Sequence, residues 1–270
     1  MVELRISMIG CVGALFVSGS KREVIIIKYI ACSLKGENNE LSYDRVLVNN
    51  HIVSNGMTSG KNKSGLVAIC DGVNSISGSD IAANTVVTNL LLLNEKANAN
   101  EIINSFQIAR NEINKIQDCI STCADISTTV AGLVINRDEF LAVNIGDTRI
   151  YRLNSKGLNL LTRDHTVAQQ KLDCGIVSEN QITKQDYNTL TRYIGSSKTA
   201  CHPSIKKGFI KAGDLFILCS DGIYKYITDE ELESILKSDM KLIEKERTIL
   251  HLALQNGSCD DLSMVLLETA

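Results

Sequence analysis

The 270-residue chain has no dense block of Lys and Arg, no internal repeat and a single proline, Pro203. It also lacks any apolar run of about 18 residues, so no transmembrane helix is expected. Without a basic block, and with a formal net charge of −3, nucleic acid is not its main ligand and an anionic membrane surface does not recruit it. Without a Pro/Ser-rich linker, the length fits one large domain over residues 1–270. A disulfide framework is missing too. The nine cysteines are odd in number and scattered, several inside apolar strand-like runs where Cys behaves as a small hydrophobe. That points to a reducing, cytoplasmic compartment. Cys119 and Cys123 have no second pair or nearby His to complete a zinc set. The apolar stretch from Met8 to Val17 has the length of a signal h-region. Glu3 beside Arg5 and the lack of an A-x-A site favour instead an N-terminal strand extension over residues 1–22.

What is present is a sequence of strands and helices. Residues 23–33, "EVIIIKYIACS", form a β-branched run that reads as a central strand. Residues 55–65, "NGMTSGKNKSG", imitate a phosphate-binding loop. Gly56 to Gly60-Lys61 is one residue short, however, Asn62 stands where Ser or Thr would hold magnesium, and a strand follows. The segment reads as a hairpin loop. Apolar stripes predict helices over 80–93 (Ala82, Val86, Leu90, Leu93) and 101–120 (Ile102, Phe106, Ala109, Ile113, Ile116, Ile120). The runs "STTVAGLVIN", "EFLAVNIG" and "DTRIYRL" are joined by short connections and so predict antiparallel neighbours. Residues 166–190 carry polar helical turns with little core signal, a surface flap. A strand at 214–219, helices near 229–237 and 240–256, and "LSMVLLE" close the chain. This order is not the alternation of a parallel sheet. It suits antiparallel sheets packed together with helix pairs outside.

Two of the strands end in an unusual way. "LFILCSDGIY" (215–224) and "LVAICDG" (66–72) each run from apolar residues into an Asp-Gly turn. Asp44 precedes "RVLV", Asp147 follows Gly146 between two strands, and Asp260-Asp261 precede "LSMVLLE". Carboxylates gathered in a partly buried site raise one another's pKa unless cations join them. Hard divalent ions with oxygen ligands meet that need, and two of them about 4 Å apart can clamp a phosphate for in-line displacement. Each Asp-Gly alone is an ordinary turn; five acids at strand ends suggest a shared site.

The chain resembles the metal-dependent protein phosphatases (PPM, the type 2C serine/threonine phosphatases) in their compact bacterial form. The stretches that carry the likeness run in family order: "VAICDGV", "GSDIAA", "STTVAGLVI", "LAVNIGDTRIYRL", "LTRDHT", "LTRYIG", "AGDLFILCSDGIYKYITDEEL" and "GSCDDLSMVLLE". The resemblance implies an α+β fold, a four-layer α/β/β/α sandwich of two antiparallel β-sheets flanked by helix pairs. It implies a hydrolase acting on phosphoserine and phosphothreonine through a metal-bridged water, with no phosphoenzyme. Two Mn2+ or Mg2+ ions are implied, with a third at a weaker site. Asp71 matches the carboxylate shared by both ions and Gly72 the carbonyl on the second. Asp221 and Asp260 match ligands of the first ion, Asp44 closes the first acidic motif, and Asp147 matches the third site. The implied partners are phosphorylated protein substrates and a Ser/Thr kinase, with the chain itself a monomer.

There are departures from the family pattern. The Arg that grips substrate phosphate falls at Asn39, and Lys35 is the nearby candidate to replace it, although a flexible point charge is a poor substitute for a bidentate guanidinium. The usual Gly-Gly after Asp-Gly-X is Asn74-Ser75, with no His following. The Asn usually paired with the last metal Asp is Asp261, which adds negative charge. His165 in "LTRDHT" invites a general-acid role; the motif reads equally as a strand-to-helix turn capped by Asp164 and Thr166, and that structural role is preferred. Cys219 is expected to face the sheet core. Two alternatives to the phosphatase stay open at this point. One is a weak or inactive relative that binds phosphoproteins; the other is a phosphomonoesterase for small molecules.

Overall fold

Antiparallel neighbours dominate the computed structural model, which describes residues 25–73, 78–94, 96–119, 126–175, 177–195 and 201–270. The first strands are β1 (Ile27–Leu34), β2 (Arg45–Val48), β3 (His51–Val53), β4 (Gly56–Asn62) and β5 (Ser64–Cys70). Helices α1 (Ser79–Leu91) and α2 (Ala99–Cys119) follow, then β6 (Val130–Asn136), β7 (Glu139–Ile145), β8 (Arg149–Asn154) and β9 (Gly157–Leu160). The short helices α3 (Val167–Asp173) and α4 (Lys184–Asn188) occupy the polar segment. The chain closes with β10 (Ser204–Phe209), β11 (Leu215–Cys219), the single turn α5 (Asp221–Tyr224), α6 (Asp229–Lys237), α7 (Leu242–Gln255) and β12 (Leu262–Thr269).

One sheet has the order β4-β1-β12-β11-β8-β9 and the other β10-β7-β6-β5-β2-β3. Val46, Ile69, Leu133, Phe216, Leu218 and Val265 meet between them. The outer face of the second sheet packs on α1 and α2 through Val86, Leu90, Phe106 and Ile113, and that of the first on α6 and α7 through Leu232, Leu236 and Ile249. This is the four-layer α+β sandwich. Local signals agree with it: Thr228 and Glu231 form a reciprocal capping box that starts α6. Among the described residues no helix is long and apolar enough to cross a membrane.

The segment read as a hairpin loop at 55–65 is instead mostly strand. β4 pairs along its whole length with β1, Gly56 opposite Ser33 and Asn62 opposite Ile27. Its Gly/Ser/Lys composition hides it because β4 is an edge strand whose residues alternate between half-buried and exposed, none of them buried, and it is held by backbone pairing rather than by an apolar face. The N-terminal extension, the Asn74-Ser75 departure and Cys123 lie outside the described residues.

Candidate metal centre

In an antiparallel sheet the end of one strand lies beside the start of its neighbour, and this gathers the acids. Cys70, last in β5, pairs with Arg45, first in β2, so Asp71 and Asp44 sit side by side. Cys219, last in β11, pairs with both Met264 of β12 and Arg149 of β8. Asp221 is thereby set near Asp260, just before β12, and near Asp147, just before β8. Asp147 lies on the connection that crosses from one sheet to the other, turned at Gly146 with φ of 100°. Thr129 N–H and Thr128 Oγ1 both donate to the Asp71 carbonyl, at 2.9 and 2.8 Å, pinning that strand end. Tyr224 Oη donates to Asp147 Oδ2 at 3.3 Å.

The approach of Asp221 to Asp260 depends on backbone against backbone. A Cβ on Gly222 would lie 2.2 Å from the Asp261 carbonyl oxygen, and one on Gly36 would lie 2.6 Å from that of Cys259. Both are closer than any side chain tolerates, so the 259–261 backbone packs directly against two glycines. Ser258 Oγ donates to the Gly222 carbonyl at 2.7 Å.

Asp71, Asp147, Asp221 and Asp260 line one cavity of about 230 Å³, together with Gly72 and Lys225. Asp44 stands behind them, 1% exposed. Its Oδ2 makes no hydrogen bond of ordinary geometry. Burial first, then the neighbouring carboxylates, raises Asp44, Asp71 and Asp260 above the usual carboxylate range, and Asp147 to about 7. Lys225 offsets the charge only in part. This donor set is all oxygen and short of positive charge, with a buried oxygen left over, and it fits hard divalent cations. Among the described residues no three acidic, His or Cys side chains close around one ion position by themselves. Backbone carbonyls and water would therefore have to complete any coordination sphere. A larger cavity of about 400 Å³ between the 96–99 segment and β10 has Glu139 as its acid among the described residues, and gathers no such set.

Other predicted residues are placed differently. Lys35 does not line the cavity; its Nζ donates to the carbonyls of Asn39 at 2.5 Å and Gly36 at 3.3 Å. The two departures at 39 and 261 meet. Asn39 Nδ2 donates to Asp261 Oδ1 at 2.8 Å, Gly36 N–H to the same oxygen at 2.7 Å, and Tyr43 N–H to Oδ2 at 2.5 Å. Asp261 thus staples the 36–43 loop to the start of β12, although its charge still acts on Asp44 and Asp260. Thr166 caps α3 as expected. Asp164 does not cap: its carboxylate takes the Arg149 guanidinium through two nitrogens, with the shortest contact at 2.7 Å. Cys219 is fully buried and its thiol is pushed up to about 12 by burial, so it is core. Lys225 was missed. Its one signal was the spacing of four from Asp221, in a helix of a single turn.

His165 is 6% exposed. Its Nδ1 accepts from Gly146 N–H at 3.1 Å, which leaves the ring proton on Nε2, 2.8 Å from Ser204 Oγ. Burial, aided by Arg192, lowers its pKa to about 4. An unfolded chain binds this proton below about 6.5 and the native chain below about 4, so stability is lost as pH falls through that window, by up to about 1.4 kcal/mol per pH unit. His165→Gln is expected to remove this slope from urea titrations. The loss of about 10²–10⁴-fold in turnover that deleting a general acid brings is not expected at neutral pH, and seeing it would restore the acid role.

A family model described as protein phosphatase 2C matches residues 54–256. The serine/threonine phosphatase stp of Listeria welshimeri is 26% identical over 241 residues, spanning 85% of this chain and 94% of that protein. The solved S. agalactiae serine/threonine phosphatase has a TM-score of 0.78 at 19% identity, over 90% of this chain and 99% of that one. The catalytic domain of the serine threonine protein phosphatase PstP, solved in complex with two manganese ions, has a TM-score of 0.74 at 22% identity, over 91% and 99%. The two structures carry the fold, and the family match covers most of the chain: it belongs to the protein phosphatase 2C family.

Proposed function

We propose that the chain is a manganese- or magnesium-dependent protein serine/threonine phosphatase that hydrolyses phosphoserine and phosphothreonine. The observation that carries this is the convergence of four acids from two sheets, Asp71, Asp147, Asp221 and Asp260, on one cavity, with Asp44 buried beside them. In the assignment we favour, Asp71 would be a ligand common to two ions, the Gly72 carbonyl would serve the second, and Asp221 and Asp260 would serve the first. Asp44 supports them from behind, and Asp147 marks a weaker third position. Bound there, divalent cations supply a water of lowered pKa and neutralise charge developing on the phosphate. The residues themselves hold the carboxylates rigidly on strand ends. Residues 166–190 serve as a flap, since Asn188 and Leu190 form part of the cavity wall. The substrate is the product of a protein Ser/Thr kinase. A reducing, cytoplasmic setting is supported by the described cysteines, all of them free.

The test is phosphate release from a phosphothreonine peptide by the purified chain. Turnover is expected with manganese, none with chelator, and recovery when manganese is returned. Asp221→Asn is expected to abolish it. Absence of turnover from a folded, manganese-loaded chain would refute the proposal and leave a binding module.

A further inference from the structure

A phosphate monoester brings a dianion into a cavity walled by carboxylates. A fixed positive charge on the protein would hold the phosphate there in addition to any bound ion. The two sequence positions that would supply it do not. The Asn39 amide is committed to Asp261, and Lys35 to loop carbonyls outside the cavity. Arg149 is committed to Asp164. Among the described residues, the cation that lines the cavity is Lys225.

Lys225 Nζ donates to Asp221 Oδ2 at 2.7 Å and to Asn188 Oδ1 at 3.0 Å. An ammonium has three hydrogens to donate. Among the described residues two are taken, which leaves the third for an acceptor in the cavity. The anchors stand on different elements, α5 and the end of α4, and together they fix the head of a side chain whose usual weakness is its freedom. Lysine binds phosphate as a point charge where arginine uses a fork, so a tethered ammonium suits the task.

We propose that Lys225 holds a phosphate oxygen of the substrate, in place of the arginine absent at position 39. The inference rests on the phosphatase reading above. It makes Lys225 a substrate-binding residue and makes Asn188 the contact through which the flap segment positions it.

The test compares manganese-loaded wild type with Lys225→Gln and Lys225→Arg. The side chain is 32% exposed, so neither substitution opens the core. Three quantities are read: steady-state hydrolysis of a phosphothreonine peptide, calorimetric binding of inorganic phosphate, and the number of manganese ions bound. A contact made equally in ground and transition states shows in KM rather than kcat. Lys225→Gln is therefore expected to raise both KM and the phosphate Kd by about tenfold or more, with a smaller change in kcat. Lys225→Arg is expected to recover part of the loss, and the manganese count to stay the same. Unchanged phosphate affinity in Lys225→Gln with the normal manganese count would overturn the proposal. So would the gain of one further manganese ion at unchanged KM, which would make Lys225 a stand-in for an ion. If the wild type fails to turn over, the phosphatase reading fails, while phosphate binding still reports on Lys225.

Discussion

Asp71→Asn is expected to abolish phosphate release and, in chelator, to make the folded chain more stable than wild type. The two effects have one cause. Asp71 is raised by burial and then by Asp44, Asp221, Asp147 and Asp260 together, so in the metal-free protein it is repelled by four like charges. Replacing it with a neutral amide of the same shape relieves that repulsion, which is worth about 1–2 kcal/mol if two or three pairs at an effective dielectric near 20 are partly relaxed. Point substitutions usually destabilise by about 1 kcal/mol, so a gain in urea midpoint would be diagnostic. In the proposed assignment Asp71 would serve both ions, so turnover falls with its loss. Several kcal/mol of transition-state stabilisation then disappear, and at about 1.4 kcal/mol per factor of ten this is about a thousandfold. A stability loss in chelator together with retained turnover would remove Asp71 from the centre.

The same carboxylates give the metal-free chain an unusual pH response. Asp44, Asp71, Asp147 and Asp260 all have folded pKa values above their unfolded ones. Between the unfolded value near 4 and the folded value, about 7 for Asp147, the native state binds more protons than the unfolded one. Stability in chelator therefore falls as pH rises through this window, by up to about 1.4 kcal/mol per pH unit for each group. His165 slopes the other way below about 6.5, but it is one group against four. Denaturant titrations at several pH values, with chelator and with manganese, check the sign.

How much of this was legible beforehand depends on how far apart in sequence the partners lie. The helical stripes of α1 and α2 and the strand "LFILC" announced themselves locally, because burial imposes its own period. The acids were legible for a related reason: an apolar strand that stops on Asp-Gly is odd by itself. β4 was not, since an edge strand needs no apolar face. The Asn39–Asp261 bond joins residues 222 apart, and no local pattern says that two departures from a family cancel. Lys35 was the natural candidate by proximity in sequence to Asn39. Its short distance to its own loop carbonyls follows from the same proximity. Lys225 was hidden because a four-residue helix has no periodicity to read, and a spacing of four from Asp221 does not by itself mark a site.

Gly222→Ala, which among the described glycines would bring an added Cβ closest to another atom, is expected to be strongly damaging. The added Cβ would stand 2.2 Å from the Asp261 carbonyl oxygen and 3.3 Å from Asp260 Cβ. The first of these is backbone, which cannot rotate away as a side chain does. Overpacking a close contact costs about 1–3 kcal/mol when side chains can adjust; here the rigid neighbours put the expected cost at about 3 kcal/mol or more, read as a lowered urea midpoint in chelator. The β11–α5 turn and the start of β12 must part, and they carry Asp221 and Asp260. Gly222 O also accepts from Ser258 Oγ, so the parting strains that bond as well. Catalytic geometry tolerates little: a shift of about 1 Å can cost about a hundredfold. Manganese affinity and turnover in whatever fraction folds should therefore fall together, although no charged group has been altered. A folded Gly222→Ala that binds manganese as wild type does would mean that this backbone contact does not set the separation of the two carboxylates. Their spacing would then have to come from the β11–β12 pairing alone.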